Sequence, residues 1–258
     1  MKNLFLKNYV LVMAFAGLGA LASCSSGYSL VEVDGGRIPV TAVYEEYPDA
    51  EAENILRSYK QKVDSMMLPV IGHSAATLIA ERPESPLSNL IADVLRKSAA
   101  SVIGKEADVA VMNMGGIRNA LPEGEITFGT IYEIAPFENA LCVLTMDGAT
   151  LTKLFEQIAA VHGEGLSGAE LAISQDGKLV EARVSGALVN PQKDYVVATI
   201  DYLAEGNDKM SAFREAKSKT QPKGMLLRDL LLDYVKQMEA KGKAINAKTE
   251  GRIKIVNK

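Results

Sequence analysis

An α/β or α+β architecture with mixed sheets is what this sequence predicts, on three observations. Short apolar runs such as Asp108–Met112 alternate with longer stretches whose apolar residues recur at three- and four-residue steps. Turn signals, among them Gly115-Gly116 and Asp176-Gly177, separate these segments. The alternation has no strict rhythm and no internal repeat, as expected where strands pair in both directions.

The elements follow in order. Residues 24–48 read as a tether leading into a first strand around Ile38–Val43, and the globular body as residues 49–258. From Asp49 to about Met67 the pattern is helical, with Ile55, Leu56, Tyr59, Val63, Met66 and Met67 on one stripe and Pro69 ending it. "VIGHSAATLI" is a candidate strand. Ser85 caps and Pro86 opens a second helix carrying Leu87, Leu90, Ile91, Val94 and Leu95. The strand Asp108–Met112 then meets the glycine turn, and "PEGEI" is another turn. A short helix near Thr130–Ile134 precedes "APFENA" and the strand "LCVLTM". "DGATLTKLFEQIAAVHG" is a capped amphipathic helix stopped by Gly163, and "LAISQDGKLVEARVSG" a hairpin. "DYVVATIDYLAEG" is a strand ending in a glycine turn, "LLRDLLLDYVKQMEAKG" a long helix, and "GRIKIV" a last strand.

Composition narrows the function. The 258 residues are 48% hydrophobic and 23% charged with a net charge of −4, which suits one large globular domain or two small ones. A mildly acidic chain without basic runs argues against nucleic acid as a partner. An anion would have to be held by a few placed arginines, since no broad positive field exists.

Residues 1–23 form a targeting segment, with Lys2 and Lys7, the apolar stretch "YVLVMAFAGLGALA" and "LASC" at its close. This resembles a bacterial lipoprotein signal, in which Cys24 becomes the lipidated first residue. An uncleaved anchor and ordinary secretion are the alternatives, and the position of the cysteine favours lipidation. A lipidated Cys24 leaves Cys142 without a partner for an internal disulfide, so Cys142 reads as a small buried apolar residue. "SSGYSL" after Cys24 lacks an acidic run, which points to an anchor in the cell envelope facing the periplasm.

The chemistry centres on "NMGGIR". Glycines after a strand permit positive backbone dihedrals and close approach of an anion to backbone N–H groups. Arg118 can then offer a planar fork of donors to phosphate. Alone the pattern is weak, because strand-glycine turns with a surface arginine are common. Read with "ERPESPLSNLIADVL", "PEGEIT", "APF", "GATL" and "IDYLAEGND", however, it resembles the C-terminal domain of the 5′-nucleotidase family, from roughly Ser74 to Val256.

In that family this domain binds the substrate, while a separate metallophosphatase domain holds two metals and the attacking water. The resemblance implies that Arg82 and Arg118 bind phosphate beside Gly115 and Gly116. It implies that Asn113 contacts the base, Phe137 and Tyr202 sandwich it, and Asp208 accepts the ribose hydroxyls. Each has a structural rival: Phe137 and Tyr202 as core aromatics, Arg82 as a solvated charge, Asn113 as a turn cap, Asp208 as a turn residue. Departures from the family pattern fall at the ribose turn, where "GNDK" replaces a frequent G-G-D-G and Asn207 would take the second glycine's conformation. Tyr202 replaces a frequent phenylalanine and adds a hydroxyl.

A two-metal phosphatase needs clustered Asp, His and Asn ligands. The chain has two histidines, His73 and His162, and neither a D-x-H nor a G-N-H-[DE] run. Both histidines read as structural or surface residues. No cofactor is therefore expected in this chain, and divalent metals are expected on a partner metallophosphatase acting on a nucleoside monophosphate or related phosphoester. A non-catalytic nucleotide- or nucleoside-binding lipoprotein is the alternative.

Overall fold

The computed structural model describes residues 30–257, so the lipidation expected at Cys24 lies outside the described residues. The chain divides into two compact units between Glu53 and Asn54. In the first, the strand expected around Ile38–Val43 is absent; only a 3₁₀ turn forms, over Ala42–Glu45. Ile38 and Val40 are more than four-fifths exposed, and an apolar run without a neighbouring strand has no ladder to join. Helix α1 (Ala50–Met67) starts at Asp49, whose Oδ1 accepts from the N–H groups of Glu51 and Ala52 at 2.9 and 3.1 Å. Its stripe through Ile55, Leu56, Tyr59, Val63 and Met66 is periodic as expected, yet all five side chains are exposed.

Three sheets build the second unit. The smallest pairs β1 (Val70–Ser74) antiparallel with β3 (Gly124–Thr127). "PEGEI" is thus a turn only in its first half: Gly124 has a φ of +98°, and the chain continues as strand. The central sheet has the order β10-β4-β9-β2-β5, from Ser218–Thr220, Leu141–Asp147, Asp194–Ile200, Val109–Met112 and Gly165–Ser167. Only the β2/β9 pair is parallel. The third sheet, β11-β6-β7-β8, comprises Ile253–Val256, Ala169–Ser174, Leu179–Val184 and Ala187–Leu188, with β11 parallel to β6. The mixed architecture is the one expected.

Burial explains the strands. All four residues of β2 are buried, which requires cover on both faces, whereas β6 alternates as a strand with one covered face does. Helix α2 (Pro86–Ser98) packs against β2, β5 and β9 through Leu87, Leu90, Ile91, Val94 and Leu95. Ser85 and Ser88 close its capping box. A short helix α3 (Ala100–Ile103) follows, and α4 (Phe128–Ile134) is capped by Thr127. Helix α5 (Gly148–Ala160) touches strands of both larger sheets, with Phe155 fully buried. Burying such a side chain contributes roughly 1.5–3 kcal/mol. Asp147 caps α5, its Oδ1 accepting from Thr150 N–H at 2.9 Å, and these Thr150 hydrogen bonds hold its carboxyl below the usual range.

The strand expected over "DYVVATIDYLAEG" ends at Ile200, and residues Asp201–Ala204 turn into a short helix, α6. Asp201 drives that change: its Oδ1 accepts from Ala140 N–H at 3.1 Å and from Tyr202 N–H at 2.8 Å. Helix α7 (Leu227–Ala240) lies against β1, α2 and α4. Arg252 ties the C-terminal strand to α2, donating to both carboxylate oxygens of Asp93 at 2.8 and 3.0 Å. Cys142 is fully buried in β4, and burial pushes its thiol up to about 11. No helix among the described residues is long and apolar enough to cross a membrane.

Candidate functional site

Asn113 follows the C-terminal end of strand β2, and residues Met114–Gly116 continue as a 3₁₀ turn. Neither Gly115 nor Gly116 has a positive φ, contrary to the expectation from the glycine pair. Space distinguishes Gly116 alone, since a Cβ on Gly115 would meet only ordinary contacts at 3.8 and 3.9 Å. A Cβ on Gly116 would come within 2.6 Å of Met112 Cε and 2.8 Å of Asn113 Oδ1. Four of the N–H groups in and after the turn are already engaged within the protein. Those of Gly116, Ile117 and Arg118 donate to Asn113, Met114 and Ile134 carbonyls, and that of Met114 donates to the carboxylate of Glu164.

A pocket of about 280 Å³ opens beside this turn, lined by Asn113, Gly115, Gly116, Phe137, Asn139, Tyr202 and Asp208. Its floor is a short chain of polar contacts. Asp208 Oδ2 accepts from Asn113 Nδ2 at 2.6 Å, and Asp208 Oδ1 accepts from the Tyr202 hydroxyl at 2.8 Å. Donation to that carboxylate raises the Tyr202 phenol above its ordinary range. Asn113 Oδ1 is buried without a hydrogen-bond partner among the described residues.

The two rings flank the pocket as surfaces rather than as core. Phe137 is 47% and Tyr202 42% exposed, which removes the rival reading of both as core aromatics. In the turn after α6, Gly206, Asp208 and Lys209 have positive φ values of 79°, 51° and 66°. Asn207 between them has no positive φ, and its Nδ2 donates to Tyr202 O at 2.9 Å, anchoring the loop to α6.

The arginines sit differently. Arg118 donates to Gly115 O at 3.0 Å, and its guanidinium carbon lies 5.9 Å from the centre of the Phe137 ring. This places a cation at the pocket's edge, within cation–π distance. Arg82 is not among the lining residues. Its Nε donates to Gly163 O at 2.8 Å and its Nη2 pairs with Glu164.

The family model for the 5′-nucleotidase C-terminal domain matches residues 70–215. The chain belongs to this family. Endonuclease YhcR of Bacillus subtilis is 30% identical over 225 residues, covering 81% of this chain and 17% of that protein. Protein UshA of Escherichia coli K12 is 30% identical over 106 residues, covering 40% of this chain and 19% of UshA. The crystal structure of a 5′-nucleotidase precursor from Thermus thermophilus superposes with a TM-score of 0.71 at 28% identity, covering 81% of this chain and 43% of that one. The NAD nucleotidase of Haemophilus influenzae shares the fold, with a TM-score of 0.60 at 20% identity, covering 81% of this chain and 42% of that one. The chain spans less than a fifth of these two sequence relatives and less than half of these two structural ones.

Within this 5′-nucleotidase C-terminal domain, two residues escape a reading of the sequence: Asn139 in the pocket wall and Glu164 bonded to the glycine turn. Asn139 lines the pocket and adjoins the "APF" run already singled out, so its signal was proximity alone. Glu164 was hidden because a charged residue between two glycines reads as a surface turn. It is 2% exposed and joins Arg82 to the Met114 N–H, bridging the loop before α2 to the glycine turn. The two histidines lie elsewhere: His73 Nδ1 is 3.1 Å from Glu239, and His162 Nε2 is 3.3 Å from Gln175 O. Among the described residues, His, Cys, Asp and Glu side chains form no group of three or more able to hold a metal ion.

Burial raises the Glu164 carboxyl above its ordinary 4.5, against the opposing pull of the Met114 N–H and Arg82. A folded-state pKa raised this way gives a proton-linked stabilisation that is present below the unfolded pKa and lost as pH climbs through the folded value. Glu164→Gln removes that dependence. Unfolding free energies measured from about pH 4 to about pH 7 should show the native chain losing ground to the variant as pH rises; a constant difference would refute the assignment.

Proposed function

We propose that this domain is the nucleotide-binding half of a 5′-nucleotidase-type phosphohydrolase whose catalysis is supplied by a separate two-metal phosphatase chain. The observation that carries the reading is the convergence of Asn113, Phe137, Tyr202 and Asp208, from separate segments, on one pocket. Its volume of about 280 Å³ suits a base and sugar, near the lower end of small-molecule sites. In this reading Phe137 and Tyr202 stack the base, Asn113 contacts its edge, and Asp208 takes the sugar hydroxyls. Arg118 holds the phosphate beside Gly115 and Gly116. Arg82 serves the phosphate end through donors that Gly163 and Glu164 do not occupy, since a guanidinium carries five.

A catalytic partner is part of the reading because the sequence has neither the D-x-H nor the G-N-H-[DE] run of the metal domain. The exposed apolar stripe of α1 offers such a partner a face to bury. Lipidation at Cys24, with the body facing the periplasm, belongs to the same proposal and rests on "LASC" after an apolar stretch. Incorporation of labelled fatty acid into the native chain, lost in Cys24→Ser, is the expected outcome; labelling that persists in the variant would rule it out.

Adenosine monophosphate should bind the purified chain saturably by calorimetry. Phe137→Ala should weaken binding roughly tenfold, as loss of one stacking face of about 1–3 kcal/mol requires, and Arg118→Ala should weaken the monophosphate more than the nucleoside. The chain alone should not hydrolyse the ester with Mn²⁺, Zn²⁺ or Mg²⁺, and should gain turnover with a metallophosphatase from the same envelope. Binding without turnover in any such mixture would favour the non-catalytic capture protein. Turnover by the metal-stripped chain alone would sink the proposal.

A further inference from the structure

We propose that the Tyr202 hydroxyl sets the sugar selectivity of this pocket, making it tolerant of deoxyribose; the inference rests on the base-and-sugar reading above. Asp208 is the group available to sugar hydroxyls, and both of its carboxylate oxygens already have donors from the protein. Oδ2 takes Asn113 Nδ2 at 2.6 Å and Oδ1 takes the Tyr202 hydroxyl at 2.8 Å. The carboxylate is aimed by its left-handed backbone, with φ of +51°, and the tyrosine by Asn207, which holds the Tyr202 carbonyl.

Selectivity against a missing hydroxyl comes chiefly from the polar group left unpaired, not from the bond lost. A carboxylate whose donors come mainly from the ligand is left short when a sugar hydroxyl is removed, and such a site discriminates steeply. Here Tyr202 and Asn113 keep Asp208 partnered whatever the sugar brings. Each oxygen retains a further acceptor position for a hydroxyl that is present. Ribose therefore gains a bond, and deoxyribose leaves no orphaned charge. Tyr202 thus combines two functions in one side chain: its ring supplies a stacking face, and its hydroxyl sets how much the sugar matters.

Tyr202→Phe separates them. The ring and its stacking remain, while Oδ1 of Asp208 loses its protein donor. The side chain is 42% exposed, so the change leaves the core untouched, which a melting curve verifies. Calorimetric titration of the full chain with adenosine monophosphate and its 2′- and 3′-deoxy analogues is the test. The native chain should bind the three within about threefold of one another. In Tyr202→Phe the preference for ribose over at least one deoxy analogue should widen by roughly fivefold or more. An unmoved ratio in Tyr202→Phe overturns this inference alone. A steep ribose preference in the native chain does the same. Failure of the native chain to bind any of the three overturns the nucleotide reading, and this inference with it.

Discussion

The buried carboxylate of Glu164 is the constraint on which the site's geometry depends. It sits behind the glycine turn, accepts the Met114 N–H, and pairs with Arg82. Three loops meet there: the one before α2, the turn after β2, and the one between α5 and β5. An ionised group so deeply buried is unfavourable unless its hydrogen bonds are made, so any movement of one loop exposes the others to that penalty. Gly163 beside it completes the lock. Its φ is +111°, and a Cβ there would come within 2.2 Å of Pro83 O.

From that fixed turn the pocket is assembled by tertiary contacts, not by local sequence. Asn113 comes from the end of β2, Phe137 from the stretch between α4 and β4, and Tyr202 and Asp208 from the α6 turn. The pairing of β9 with both β2 and β4 brings these segments side by side. Asp208 then joins Asn113 and Tyr202 into one hydrogen-bonded floor.

Much of this was legible before the fold was known. Helices α2, α5 and α7 announced themselves because periodic stripes and caps such as Ser85 and Asp147 are local signals. The fully apolar β2 and the largely apolar β4 were visible for the same reason. What failed depended on partners distant in sequence. The run Ile38–Val43 has strand-like composition, but no described strand pairs with it. The short strands β5 and β10 exist because β2 and β4 offer ladders to them. Among site residues, the motif resemblance picked out the pocket's aromatic and acidic members, whereas Glu164 became recognisable only through its burial. The glycines of the turn were expected for their backbone freedom, whereas Gly116 gives clearance to the Met112 and Asn113 side chains.

Cys142 has a practical consequence. Its thiol is sealed within β4 and held well above the pH at which thiols react. A version of the body without Cys24 would therefore present no reactive sulfur of its own. One cysteine introduced at an exposed position on the pocket rim could then carry a fluorophore at a single known place, turning the domain into an optical reporter of whatever enters.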